Sequence, residues 1–345
     1  MPCGEVPSRV PRRAVQAASE EPSPDPGRTA LRALVTRLLP DKRREKVLVT
    51  DWLEPKGPVG NQIKTQTLYS GITNGTERND LLGGNYAHPD HMLPAGWGYQ
   101  NVGRVVEVGP EARHLKVGDV LYLSADHMEY VVMPEDGLLI KLPPEVDPRH
   151  AALFGMASVA MRSCRHADLR MGERFLVVGA GCVGQFAAQI AVNTGARVTI
   201  CDTDESRLEL ARQIGAVEAA CNVAGDGWQK HIQDASFDAI LDVAGVPGME
   251  DQLIAAAKWR GRVLFIAGRR QVAYTFNLGQ GREITIQQNS HFDSSDLANV
   301  YRLVARGLVK IGPVIQDVVP VAETDRIYRL LRDEPARLKG TVFVW

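Results

Sequence analysis

The hydrophobic positions of this chain change rhythm once. From about Leu31 to Met161 they come as short runs rich in Val, Leu and Tyr: 47–49, 63–69, 102–108, 120–123 and 130–133. Gly57-Pro58, Gly83-Gly84, Gly109-Pro110, Gly118-Asp119 and Pro143-Pro144 punctuate them. Short apolar runs bounded by turn dipeptides predict strands, here of a small, irregular, barrel-like β domain. From about Arg165 the runs at 175–178, 198–201, 237–243, 263–267 and 284–286 are separated by helical patterns. Val183, Phe186, Ala187, Ile190 and Ala191 fall at i, i+3, i+4, i+7 and i+8, one face of a helix. Strands alternating with helices predict a parallel sheet with right-handed crossovers. Helices near 295–307 and 325–332 and a closing strand at 341–345 complete the reading. Residues 1 to about 30 hold six prolines among Ser, Glu and Arg, a composition that predicts a disordered tail.

Length and charge narrow the picture. A chain of 345 residues suggests two domains. Lys plus Arg is 40 and Asp plus Glu is 41, which leaves no excess of cations to neutralise a nucleic-acid backbone. Residues 175–192 are apolar enough to imitate a membrane span. Gly179, Gly181, Gly184, Gln185 and Gln189 interrupt the stretch, and a strand, a glycine turn and a helix account for it better. No apolar leader follows the N-terminal arginines, and the five cysteines form no CxxC pair, so a reducing cytoplasm is expected.

The chemistry-bearing motif follows the first strand of the second half. Phe175-Leu-Val-Val-Gly179-Ala180-Gly181-Cys182-Val183-Gly184 is a strand, a GxGxxG turn and a helix start, and Asp202 ends the next strand 18 residues beyond Gly184. This is the context of a Rossmann dinucleotide site. Gly179 would permit the tight turn, Gly181 the approach of a pyrophosphate, and Gly184 close packing of helix on strand. Asp202 would accept hydrogen bonds from ribose hydroxyls and repel a 2′-phosphate, which favours NAD over NADP; Arg207 is the counter-signal. The alternatives are a glycine turn that binds nothing and an Asp202 that merely caps a strand end.

The chain resembles the medium-chain dehydrogenase/reductase superfamily. The resemblance rests on residues 69–77 (Tyr-Ser-Gly-Ile-Thr-Asn-Gly-Thr-Glu), 98–109 (Gly-Tyr-Gln-Asn-Val-Gly-Arg-Val-Val-Glu-Val-Gly), 117–120, 129–131, 179–184, and Asp202 with Arg207-Leu208. It implies an α/β protein in which a GroES-like β-barrel catalytic domain (31–161, completed by about 296–345) is joined to a Rossmann doubly wound parallel sheet (162–295). The substrate cleft would lie between the two. It also implies a homodimer paired through the edge strand near 284–288.

Zinc-dependent members carry a Cys, a Gly-His-Glu and a third ligand where this chain has Thr73, Tyr99-Gln100 and the Phe154-Gly155 region. Thiolate, imidazole and carboxylate are what zinc takes, and only Glu77 lies near. The four-cysteine structural lobe is absent as well, so no metal is expected. His88 and His91 read as a solvated loop rather than a ligand pair. The pattern is similar to a zinc-free branch named for the bacteriochlorophyllide hydroxyethyl dehydrogenase, a resemblance that does not fix a pigment substrate.

Without zinc, the charge on a substrate oxygen must be met by a hydrogen-bond donor or a proton relay. Tyr99 is the expected donor, with Thr73 and Glu77 on the facing turn to orient it or relay protons. The plainer alternatives are that Tyr99 fills the volume of the lost ligands and that Glu77 braces its turn or pairs with Arg78 or Arg104. His127 is a further possible donor but reads more readily as an ordinary loop histidine, and Cys182 as a small packing residue. Val243, Gly268 and Asn289 are expected to approach the cofactor. Arg269-Arg270 could meet an anionic substrate but read more readily as a solvated charge pair. The leading expectation is a zinc-independent, NAD-dependent oxidoreductase for a secondary alcohol and its ketone. The others are an NADPH-dependent quinone or enone reductase, and a non-catalytic nucleotide-binding protein.

Overall fold

The computed structural model describes residues 30–345. The expected tail lies outside the described residues, except that Ala30 already belongs to the first strand. The first half holds β1 (Ala30–Leu38), β2 (Arg44–Leu53), β3 (Gln62–Gly71), helix α1 (Asn74–Leu81), β4 (Ala95–Gly96), β5 (Asn101–Val108), β6 (Val120–Leu123), β7 (Tyr130–Pro134) and β8 (Leu139–Lys141). Two helices follow, α2 (Pro148–Ala151) and α3 (Phe154–His166). The second half holds β9 (Arg174–Val178), α4 (Cys182–Asn193), β10 (Arg197–Asp202), α5 (Glu205–Ile214), β11 (Ala219–Asn222), α6 (Gly227–His231), β12 (Phe237–Asp242), α7 (Glu250–Ala256), β13 (Ala257–Phe265), α8 (Phe276–Gln280) and β14 (Thr285–Gln287). The chain ends with α9 (Ser294–Ala305), β15 (Ile315–Pro320), α10 (Thr324–Asp333) and β16 (Gly340–Val344).

Three sheets organise these elements. β2-β1-β4 form a small antiparallel sheet, and β15-β16-β3-β5-β6-β8, with β7 also on β3, form a seven-stranded one. The six-stranded sheet has the order β11-β10-β9-β12-β13-β14, with every pair parallel. This is the doubly wound arrangement, whose ligand crevice opens at the carboxyl ends of the strands, where the order reverses between β9 and β12. Both faces of such a sheet are covered, so its strands are apolar throughout: Phe175, Leu176, Val177, Val198, Ile200, Ile240, Leu241, Val263 and Leu264 are fully buried.

The last segment returns to the first half. β16 pairs antiparallel with β3 and parallel with β15, and α10 lays Ile327, Tyr328 and Leu331 onto a core shared with Leu34, Ile72, Leu81 and Phe343. α3 runs unbroken through residues 161 and 162 and shares the central core with α4 and α9, so one helix carries the chain from the first half into the second. α9 is fixed by a capping box: Asp293 accepts from the Ser295 and Asp296 amides, and Asp296 answers by accepting from the Asp293 amide.

Candidate active site

The turn between β3 and α1 is built from hydrogen bonds made inside the protein. Thr73 is the N-cap of α1 and 5% exposed, and its amide donates to Glu77 Oε1 at 2.7 Å. Glu77, 1% exposed, also meets His127 Nε2 at 3.2 Å through Oε1 and accepts from the Tyr328 hydroxyl through Oε2. Burial is the largest influence on this carboxyl and raises its pKa. The charge and hydrogen bond of His127, the nearby Lys46 and the Tyr328 hydroxyl together outweigh it and hold the group below its ordinary value.

The plain readings of the sequence fare differently. Glu77 does brace its turn through the Thr73 amide, but it pairs with neither Arg78 nor Arg104, whose guanidinium groups donate instead to the Arg332 and Gly118 carbonyls. His127 is not an ordinary loop histidine: it is fully buried, because β1 passes over it and the Leu34 amide takes its carbonyl. His88 is corrected too. Its ring is half-buried, edge-on to Trp97 with centroids 4.4 Å apart, while His91 is exposed.

Across from Glu77, Tyr99 stands where the ligand pattern has lost its histidine. Its ring lies on Gly155, where a Cβ would come within 2.8 Å of the ring carbons and 2.6 Å of the Tyr122 hydroxyl. Its other neighbours are the His291 and Phe292 rings, with centroids at 5.2 and 6.0 Å. Burial pushes the phenol up to about 12; the Thr73 and Thr76 side chains pull the other way, while Glu77 adds to the rise. Gln100, fully buried, donates from Nε2 to Thr73 Oγ1 and the Gly71 carbonyl and accepts from the Met156 amide. It thereby ties the turn after β3 to the start of α3.

This donor set does not fit zinc. The positions in question hold Thr73, Tyr99, Gln100 and Gly155, and the Tyr99 ring fills the space beside Gly155. Among the described residues no group of three or more His, Cys, Asp or Glu is placed to hold a metal ion.

The glycine turn sits at the carboxyl end of β9. Gly179 has φ +104°, which strains any other residue. A Cβ on Gly184 would lie 1.9 Å from the Gly179 carbonyl oxygen, whereas one on Gly181 would meet nothing within 4 Å. Helix approach is therefore closest at Gly184, and open space lies at Gly181, the N-cap of α4, which has no side-chain cap. Such an end offers N–H groups and a positive dipole to a phosphate. Cys182 and Val183 follow in the first turn, and burial pushes the Cys182 thiol up to about 11, which makes it a poor nucleophile.

Asp202 accepts from the Ala180 amide at 2.7 Å and the Asp204 amide at 2.9 Å. Arg207 lies 3.7 Å from both Asp202 and Asp204 and donates to the Ala336 carbonyl. Val243 packs beside Gly179, and its amide donates to the Val178 carbonyl. Asn289 donates to Ser163 Oγ at 3.2 Å and keeps a buried, unpartnered Oδ1.

Arg269 departs from its expectation. It is neither a solvated charge nor open to an anion, because its side chain, 10% exposed, pairs with buried Asp242 and Glu250. Asp242 Oδ1 accepts from the Ala244 and Gly245 amides, so the group fixes the loop after β12. Gly268 is exposed, with Tyr86 of the first half close on one side: a Cβ there would lie 2.5 Å from the Tyr86 ring. Arg270 donates to the Gly83 carbonyl in the same loop.

Lys46, Tyr86, Gln100 and Tyr328 were not predicted as site residues. Tyr328 carries only the signal of a core position on an amphipathic helix. Tyr86 lies in a glycine-rich loop whose landing place no local pattern reveals.

A family model described as zinc-binding dehydrogenase matches residues 182–306. That stretch lies in the second half and excludes residues 73, 99, 100 and 155. An L-threonine 3-dehydrogenase of Pseudoalteromonas translucida (strain TAC 125) is 28% identical over 247 residues, 61% of this chain and 72% of that protein. The fold is shared with an acetophenone reductase from Geotrichum candidum solved in complex with NAD (TM-score 0.78, 20% identity, 92% of this chain and 97% of that one). It is shared also with a 2R,3R-butanediol dehydrogenase from Bacillus subtilis (TM-score 0.75, 19% identity, 92% and 100%).

Proposed function

We propose that this member of the medium-chain dehydrogenase superfamily exchanges a hydride between NAD and a secondary alcohol or its ketone without the help of zinc. The observation that carries the reading is the placement of Tyr99. It stands at the position aligned with a zinc ligand in the family the chain resembles, it is seated on Gly155, and the Thr73 and Thr76 side chains act on its phenol. Bound NAD supplies the hydride acceptor or donor; the protein's residues place the partners and manage the oxygen. A phenol whose pKa is pushed to about 12 stays protonated at neutral pH. It can therefore donate to a carbonyl oxygen and pass its proton to the more basic alkoxide that forms as hydride reaches the carbon. Thr73 and Thr76 would orient the phenol, Gln100 holds Thr73, and Glu77 fixes the turn through the Thr73 amide.

Gly179, Gly181, Cys182, Val183 and Gly184 would receive the pyrophosphate, and Asp202 the ribose hydroxyls. Val243, Gly268 and Asn289 would lie toward the nicotinamide. Arg207 is already engaged by two carboxylates and a carbonyl, which weakens it as a 2′-phosphate partner and supports NAD over NADP. The edge strand β14 is the surface through which two copies would pair.

The test is a fluorescence titration of chelator-treated protein with NADH and NADPH, followed by turnover on a panel of secondary alcohols and ketones. Tighter NADH binding and chelator-resistant turnover are expected. Activity lost to chelator and restored by zinc, or binding of NADPH alone, would overturn the reading. Turnover confined to enones or quinones would move it to C=C or quinone reduction. NADH binding with no turnover on any of the panels would favour a non-catalytic nucleotide-binding protein.

A further inference from the structure

Two rings meet where the first half of the chain touches the second. Tyr99 stands just before β5, and His291 lies in the loop between β14 and α9, with centroids 5.2 Å apart. His291 is exposed and has φ +56°. A residue with a side chain seldom adopts this left-handed conformation, and it persists only where the surroundings enforce it. Here they enforce it from both sides. Asn289 donates to Ser163 Oγ of α3 at 3.2 Å. Phe292 is buried in the central core, and Asp293 opens the capping box of α9 and accepts from Arg162 at 2.9 Å. Lys42, Asp168, Ala235, Arg260 and Glu283 also have positive φ at exposed positions, but His291 is the one whose ring packs on Tyr99.

The same loop fixes the chemistry of the imidazole. Nδ1 accepts from the Phe292 amide at 2.9 Å, so the neutral ring carries its proton on Nε2. Desolvation where the ring packs, and after it the charge of Arg162, lower its pKa, which keeps it neutral at pH 7. Nε2–H has no partner among the described residues. It is a donor of fixed tautomer, held on an exposed ring beside the phenol.

We propose that His291 selects the substrate: its Nε2–H donates to a second oxygen, so the class taken is ketones, and the alcohols made from them, with an acceptor oxygen on the carbon next to the one that reacts or one atom beyond. This rests on the hydride-transfer reading above, in which Tyr99 donates to the reacting oxygen. Rings 5.2 Å apart, each with one donor, are within the span of two such oxygens, each reached by a hydrogen bond of about 2.8 Å. A ketone with only methylenes there leaves the N–H without an acceptor, which is how a polar site rejects an analogue. Glycine would adopt φ +56° without strain; a histidine at this position is accounted for by what its ring does.

The experiment uses the full chain with oxidised NAD bound and two ketones of one shape, methoxyacetone and methyl propyl ketone. They differ by an ether oxygen in place of a methylene. Neither ketone can exchange a hydride with oxidised NAD, so ligand-observed NMR reads dissociation constants without turnover. Wild type should bind methoxyacetone about fivefold or more tightly, and in His291→Gly the ratio should fall to about one. The Tm of His291→Gly should not drop, because glycine relieves the left-handed backbone. His291→Asn, which also tolerates that conformation but is shorter, should lose the ratio too and serves if the glycine variant fails to fold. In ¹⁵N-histidine-labelled protein, the ring signal missing from His291→Gly should show Nε2 protonated and should shift with methoxyacetone alone. Equal affinities in wild type, a ratio that survives both substitutions, a proton on Nδ1, or binding of neither ketone overturns the proposal. Equal affinities beside turnover in the substrate panel leave the hydride-transfer reading standing; no binding and no turnover removes both.

Discussion

Tyr99 and Glu77 divide the work of the site by their surroundings. In the proposed reading Tyr99 meets the substrate and keeps its proton, whereas Glu77, 1% exposed, keeps its charge. Tyr99→Phe removes the donor and little volume, so kcat should fall about 10²–10³-fold while NADH affinity stays unchanged, measured by steady-state kinetics beside a fluorescence titration. Glu77 bears on stability instead. Its folded pKa lies below the unfolded value near 4.5, so its contribution is complete above that pH and is lost as pH falls through the lower, folded value. Glu77→Gln should cost about 3 kcal/mol at pH 7 and flatten the acid limb of the stability curve, read by urea unfolding between pH 3 and 7. Tyr99, Thr73 and Glu77 could be named from the sequence because they lie in short motifs. Lys46, His127 and Tyr328 could not be joined to them, since Tyr328 is 251 residues from Glu77 and only the return of α10 and β16 brings it there.

Elements were legible where a local pattern decides them. The strand at 120–123 coincides with antiparallel β6, three of whose four residues are buried, and the strands read at 175–178 and 198–201 fall within β9 and β10, where buried parallel strands are plain apolar runs. β1, β11 and β15 escaped. β11 is Ala219-Ala-Cys-Asn, with no β-branched residue, and is a strand only because β10 offers it an edge. β15 carries exposed Gln316 and Asp317 and is held by pairing with β16. The glycine turn was the clearest signal of all, because each glycine answers a steric demand of its own. Gly184→Ala would force a methyl to 1.9 Å from the Gly179 oxygen. It should destabilise the protein by about 1–3 kcal/mol and abolish NADH binding. Gly181→Ala, with open space around its Cβ, should leave thermal stability nearly unchanged and weaken NADH binding alone. Differential scanning calorimetry beside NADH titration separates the two.

At the scale of the whole molecule the two halves are tied at both ends of the cleft. At the adenosine end Lys339 donates to Ser206 Oγ, Arg207 to the Ala336 carbonyl, and Asn74 to the Leu338 carbonyl. Segment 334–340 thus links the start of α5 to the catalytic turn. At the other end the loop holding Tyr86 crosses to the rim of the parallel sheet, anchored by Asn79, and reaches exposed Gly268. In the proposed reading a dinucleotide laid along the carboxyl ends of β9 and β12 would bring its nicotinamide toward Gly268, and Tyr86 would then have to yield before the ring seats and could close on it afterwards. Tyr86 is thereby placed to limit exchange of the cofactor rather than the strength of its binding, since the ring blocks entry and retains the bound molecule alike. Tyr86→Ala should raise the association and dissociation rates of NADH together, each about tenfold, and leave Kd within a factor of about three. Stopped-flow fluorescence measures all three quantities. A Kd weakened through the dissociation rate alone would make Tyr86 a direct cofactor contact, and unchanged rates would mean that the loop stands clear of the path.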